Sequence, residues 1–308
     1  MAPIKLRDQP PSRWKISLIL AVGILSISTS AIFIRLALGA VAAPGVGFSL
    51  LLAASRLLLA AIALIPVWRN IQQVELRREA IAYSIGAGIL LAAHFASWIL
   101  SLSFTSIAAS TTLVTTNPVW VALLSWLWFR ETLSRLTLVG IGVTVLGGAL
   151  IGFGDGGGTA AASQPLLGNA LALMGSWAVS LYFLVGREAQ RRGMTIQLHL
   201  AIAYSVATLL LLPLPPLFNA SYSGQPPLVY GCILLMAIFP QLIGHSSLNW
   251  AVFWLSPTLV TLTILMEPIG ASLLGFLIFG EIPGPWALTG AGIVLTGVAI
   301  AAIGTRSP

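Results

Sequence analysis

Charge is what this chain of 308 residues has least of: Asp, Glu, Lys and Arg together make up 7% of it, against about a quarter in an ordinary soluble domain. So few charges cannot cover a water-facing surface, and a soluble globular protein is excluded. There is a single cysteine, Cys232, which rules out an intrachain disulfide and a thiolate metal cluster. The sequence has no His-Glu-x-x-His pair for zinc, no Gly-x-Ser-x-Gly elbow for a nucleophile and no Walker loop. Enzymatic chemistry and ATP-driven pumping by this chain are therefore set aside, and no cofactor is expected.

What is present is apolar sequence, at 57% of residues. A hydrocarbon core of about 30 Å takes roughly 20 helical residues to cross. Runs of that kind lie near residues 16–38, 47–67, 80–102, 107–129 and 134–153, and again near 167–187, 197–217, 228–250, 257–279 and 284–304. They are too long for the alternating strands of a membrane barrel. The expected fold is an all-α integral membrane protein with ten transmembrane helices.

The second set of runs copies the first. At an offset of 150 positions Glu131 meets Glu281, Pro118 meets Pro268, Gly140 meets Gly290, Gly142 meets Gly292 and Gly147 meets Gly297. Earlier in each half Ser30 meets Ser180, Phe33 meets Phe183, Ser55 meets Ser205 and Pro66 meets Pro216. Residues 1–153 read as a first repeat, 154–166 as a linker and 167–308 as a second repeat. Five spans per repeat place the start of the second on the opposite side of the membrane, so the two five-helix repeats are inverted. That symmetry lets two bundles open a shared site to each side in turn. The linker, Gly154-Asp155-Gly156-Gly157-Gly158-Thr159, lacks the strand-to-helix context of a phosphate loop.

The cations set the orientation. Lys5, Arg7, Arg13, Lys15, Arg69, Arg77, Arg78, Arg130, Arg135, Arg187, Arg191, Arg192 and Arg306 all fall on one side of the expected spans, and the opposite loops carry no Lys or Arg. The positive-inside rule then puts both termini in the cytoplasm, in a bacterial inner (plasma) membrane. The net charge of +7 is topological, and its spread over separate short loops gives no basic face for nucleic acid. Ala40-Val41-Ala42 after a basic start imitates a signal-peptide cleavage site, but the apolar run is too long and belongs to the repeat.

Asn117-Pro118-Val119 through Phe129-Arg130-Glu131, with Glu267-Pro268-Ile269 through Gly280-Glu281, resemble the proline and glutamate signature of EamA-type repeats, and Ser55-Arg56-Leu57-Leu58-Leu59-Ala60-Ala61 fits as well. The resemblance covers nearly the whole chain. It implies a ten-helix member of the drug/metabolite transporter superfamily, several branches of which export amino acids and related metabolites while others carry sugars and nucleotide sugars.

Candidate site residues follow from what is expensive in a membrane. Glu267 heads the group, since an acidic side chain at mid-depth costs roughly 2.5–3.5 kcal/mol even on the lenient insertion scale. Ionised, it could hold a substrate ammonium; protonated, it could exchange protons, the candidate coupling ion; structurally, it could be a buried partner for Arg56. Its repeat counterpart is the neutral Asn117. Arg56 could receive a carboxylate in two-pronged fashion, whereas the family resemblance reads it as a structural feature. Pro118 and Pro268 interrupt their helices and read as hinges or as kinks. Thr111, Thr115 and Pro118 share one helix face, as do Thr263 and Glu267.

His94, Trp98 and Ser101 likewise share a face, which is either a ligand surface or a packing stripe. Tyr182, Tyr204, Gln241 and His245 add polar tips. His199 falls near the end of its span, where water is expected, and Arg35 should snorkel to the interface. Most of the tryptophans sit at helix ends as an aromatic belt, but Trp98, Trp120 and Trp177 do not. A phosphorylated solute would need several cations in the bundle, and only Arg56 is available. The residues favour a small zwitterionic or amphipathic metabolite, amino acids first and aromatic ones included. A polyspecific drug exporter and a non-transporting membrane sensor or assembly protein are the alternatives.

Overall fold

The computed structural model describes residues 11–69, 77–130, 133–154, 164–280 and 285–304; Glu131, Glu281, Lys5, Arg7, Arg306 and most of the linker lie outside the described residues. Every regular element within them is helical. In chain order they are α1 (Arg13–Ser28), α2 (Ser30–Gly39), α3 (Val46–Ala63), α4 (Ile65–Trp68), α5 (Arg78–Ser101), α6 (Ile107–Val114), α7 (Asn117–Phe129), α8 (Arg135–Gly154), α9 (Pro165–Arg191), α10 (Ile196–Leu211), α11 (Leu214–Leu217) and α12 (Pro227–Met236). A π-helical segment, Ala237–His245, follows, and then α13 (Ser246–Trp254), α14 (Pro257–Ile264), α15 (Glu267–Phe279) and α16 (Pro285–Gly304).

Among the described residues, seven helical stretches are long and apolar enough to cross a membrane: Arg13–Gly39, Val46–Ala63, Arg78–Ser101, Pro165–Arg191, Ile196–Leu217, Pro227–Trp254 and Leu259–Phe279. Shorter apolar helices run over Arg135–Leu150 and Leu288–Gly297. Large apolar side chains such as Leu127, Leu146, Leu209 and Leu277 stay exposed on the outside. In lipid that exposure is the favourable state.

The prolines act at the sequence level to break helices. Neither Pro118 nor Pro268 bends a continuous helix; each sits in the first turn of a new one, where its missing N–H is no loss. The chain therefore runs α6, a tight Thr115–Thr116 step, and α7, and it repeats this as α14, Leu265–Met266 and α15. The flanking chemistry repeats too. Ser106 caps α6 by accepting from the Ala109 amide at 3.1 Å, and Ser256 caps α14 by accepting from Leu259 at 3.2 Å. Arg130 and Gly280 end α7 and α15 in left-handed conformations, at φ 53° and 66°.

Packing joins the two halves of the chain. α8 lies along α16 in an extensive helix contact, α5 lies along α9, α3 crosses α10, and α1 meets the π segment. Glycine makes the first of these possible. A Cβ on Gly147 would stand 2.8 Å from the Gly290 carbonyl oxygen, and one on Gly297 would stand 2.7 Å from that of Gly140. The glycine faces that permit contact within or between chains thus meet inside this one. Gly142 and Gly292 have nothing within 4 Å.

Candidate functional site

The two helix breaks and the π segment converge on a cavity. It holds about 420 Å³ of atom-free space, its open mouth included, and is lined by Ile27, Ser30, His94, Trp98, Val114, Thr115, Asn117, Val179, Phe183, Pro240, His245, Leu248, Ile264 and Glu267. The walls come from both halves of the chain. Thr115 and Asn117 flank the first break, and Ile264 and Glu267 flank the second.

Glu267 is the first residue of α15, so its side chain sits at the N-terminal end of that helix. It is buried, yet among the described residues no side chain stands within hydrogen-bond or ion-pair reach of its carboxylate; the one side chain that bonds the residue, the Ser28 hydroxyl, donates to its backbone carbonyl at 3.5 Å. The reading of Glu267 as a contact partner of Arg56 does not hold. Arg56 is fully buried elsewhere. Its Nη1 donates to the Ser30 hydroxyl at 3.0 Å, its Nη2 donates to Gln241 Oε1 at 3.0 Å, and its guanidinium lies 4.2 Å from the centroid of the Phe95 ring. One charge therefore ties α2, α5 and the π segment to α3 through charge-assisted hydrogen bonds and a cation–π contact. Arg56 stands behind the cavity wall and does not line it.

On the opposite side His94 Nδ1 donates to the Gly175 carbonyl at 2.9 Å, because a carbonyl can only accept. That fixes the ring, leaves Nε2 as its other nitrogen, and ties α5 to α9. His94 stacks on Trp98 with centroids 5.9 Å apart and planes 9° from parallel, and it meets His245 edge-on at 6.1 Å. His94, Trp98 and His245 thus form one aromatic wall. Several buried polar atoms of the lining have no partner: Asn117 Oδ1, Trp98 Nε1 and His245 Nδ1. Each such orphan costs about 1–3 kcal/mol until something polar reaches it.

The other expected site residues lie outside the lining. Gln241 holds Arg56. Tyr204 is fully buried, its hydroxyl 3.4 Å from the Gln241 carbonyl and 3.5 Å from Ser246. Tyr182 packs against Phe183 at 5.2 Å and His199 at 6.3 Å, away from the cavity. Pro118 and Pro268 stand one residue beyond Asn117 and Glu267, as the breaks rather than the walls.

One expectation needs correcting. His199 does not meet water: it is completely buried, its Nδ1 3.1 Å from the Ser84 hydroxyl, because α5 and α9 cover the start of α10. Arg35 donates to the Thr105 carbonyl at 3.4 Å. Trp177 is half-exposed on the outer surface, edge-on to Trp120 at 6.5 Å.

Sequence reasoning missed the π segment. Pro240 lies inside a run read as one continuous span, and an interior proline is the signal that could have found it. The wider π turn aims Pro240 and His245 into the cavity and Gln241 at Arg56. Such segments concentrate at functional sites.

A polytopic helical protein with a polar chamber between broken helices has the form of a membrane transporter. The chain belongs to the EamA-like transporter family, whose model matches residues 8–153 and again 166–303. It is 27% identical over 197 residues, 63% of this chain, to "Uncharacterized transporter YdfC" of Bacillus subtilis (strain 168), and 25% identical over 186 residues, 60% of this chain, to "Probable terminal-alkyne amino-acid exporter" of Streptantibioticus cattleyicolor. The matched stretch spans 61% of the length of each of these relatives. A solved crystal structure that is 17% identical shares the fold, with a TM-score of 0.66 over 96% of this chain and 99% of that one.

Proposed function

We propose that this protein is a secondary transporter of the bacterial inner membrane that exports small metabolites, amino acids first and aromatic ones included, by alternating access through the central cavity. The observation that carries this reading is the Glu267 carboxylate: buried at a helix break, lining a cavity, and without a hydrogen-bond or ion-pair contact among the described residues. A purely structural acid would be paired.

The ten-helix topology belongs to the same proposal. Residues 1–153 and 167–308 are two inverted five-helix repeats joined by 154–166, with both termini in the cytoplasm. The repeated caps, breaks and left-handed helix ends of α6–α7 and α14–α15 support it, as does the reciprocal contact of Gly147 with Gly290 and of Gly297 with Gly140. Within it Glu267, His94, Trp98, Asn117, Thr115 and His245 touch substrate. Arg56, Gln241 and Tyr204 brace the wall, and Pro118 and Pro268 are hinges between half-helices. The relative named for amino-acid export favours this solute class.

The test is flux in proteoliposomes of the purified protein across an amino-acid panel, with and without a proton gradient. Protein-dependent flux of at least one amino acid is expected. Its absence for the whole panel would overturn the proposal.

A further inference from the structure

The charge in the cavity is one-sided. Of its lining residues only Glu267 is acidic and none is Lys or Arg. The nearest buried cation, Arg56, reaches Glu267 only through space; its hydrogen bonds go to Ser30 and Gln241, and Phe95 covers its face. The other polar atoms of the lining include donors and acceptors, the indole N–H of Trp98 among the donors. Asn117 Oδ1 is buried, unpartnered and part of the lining. With Nδ1 committed to Gly175, a neutral His94 offers an acceptor at Nε2.

From this we infer that the site recognises the ammonium group of its substrate, and that the preferred ligands are organic amines carrying an aromatic or branched apolar body, for which a carboxylate is a liability. The inference rests on the transporter reading and ranks amines above the amino acids named there, which share the ammonium group. An ammonium brings three donors and no acceptor, matching a cavity that carries a carboxylate, an unpartnered amide oxygen and an imidazole nitrogen. The body would lie along Trp98, Phe183, Val179 and Ile264, which are apolar surfaces of the same cavity. A substrate carboxylate would enter beside Glu267 with no side-chain cation to receive it, and an unpaired buried anion is disfavoured.

Three compounds with one aromatic body separate the possibilities: phenethylamine carries only the ammonium, phenylalanine carries both charges, and 3-phenylpropionate carries only the carboxylate. Ligand-induced thermal stabilisation of the purified full chain in detergent would be titrated with each. Phenethylamine should half-saturate at a concentration about tenfold or more below that of phenylalanine, the factor expected when a buried carboxylate is left unpaired. 3-Phenylpropionate should give no shift, and Glu267→Gln should abolish the preference for the amine. Phenylalanine binding as tightly as the amine, stronger binding of 3-phenylpropionate, or no binding by any of the three would each overturn the inference. Should Glu267→Gln fail to fold, the ranking on the wild-type protein decides alone. Amino-acid flux in proteoliposomes without amine preference would sink this inference and leave the transporter reading standing, whereas the loss of all flux would sink both.

Discussion

Two ionisable residues at mid-depth have opposite situations, and the difference is one of partners. Arg56 places its two Nη groups on two elements and its face against a third, as a fastener would. Glu267 heads a helix, lines the cavity and has no contact partner for its carboxylate among the described residues, as the proposed substrate receptor requires. Glu267→Gln should lower substrate flux about tenfold or more while membrane insertion and thermal stability change little, a split that flux and detergent melting measure side by side. Arg56→Lys should do the reverse. A single ammonium cannot keep two-pronged contact with Ser30 and Gln241, so about 1.5–3 kcal/mol of stability should be lost. Glu267, Asn117, Thr115, His94, Trp98 and His245 were legible as candidates because intramembrane polarity and helical spacing single them out. Their companions were harder to place. The link from Arg56 to Gln241 spans 185 positions and obeys no period, and the burial of His199 depends on which helices cover it.

At the level of elements, the repeated serine caps, proline breaks and left-handed ends do the shaping, and each is written in the local sequence. The prolines announced an interruption but not its form, since kink and half-helix differ only in how the preceding turn closes. The π segment was hidden because a proline in an apolar run does not say whether the helix bends, breaks or widens. The α8–α16 contact gives a sharp comparison. Gly147→Ala would press a methyl to 2.8 Å from a backbone oxygen that cannot move away, whereas Gly142→Ala meets nothing within 4 Å. The first should destabilise the protein by about 1–3 kcal/mol through overpacking, and the second should be neutral or slightly stabilising, as read by melting in detergent.

On the scale of the whole molecule, composition and the repeat made a polytopic helical membrane protein legible before any coordinates, because a chain with so few charges has no alternative solvent. The cavity was not legible in that way: it arises where the α6–α7 and α14–α15 breaks, both in the later part of their halves, come together with α1, α5, α9 and the π segment. The central claim is that this chamber opens to each side of the membrane in turn. The most direct measurement places a single thiol on its wall, Thr115→Cys in a Cys232→Ser background, and exposes it to a membrane-impermeant thiol reagent in right-side-out and in inverted vesicles. The account predicts labelling from both sides, with a transported solute shifting the balance between them; labelling from one side only, or from neither, would contradict it.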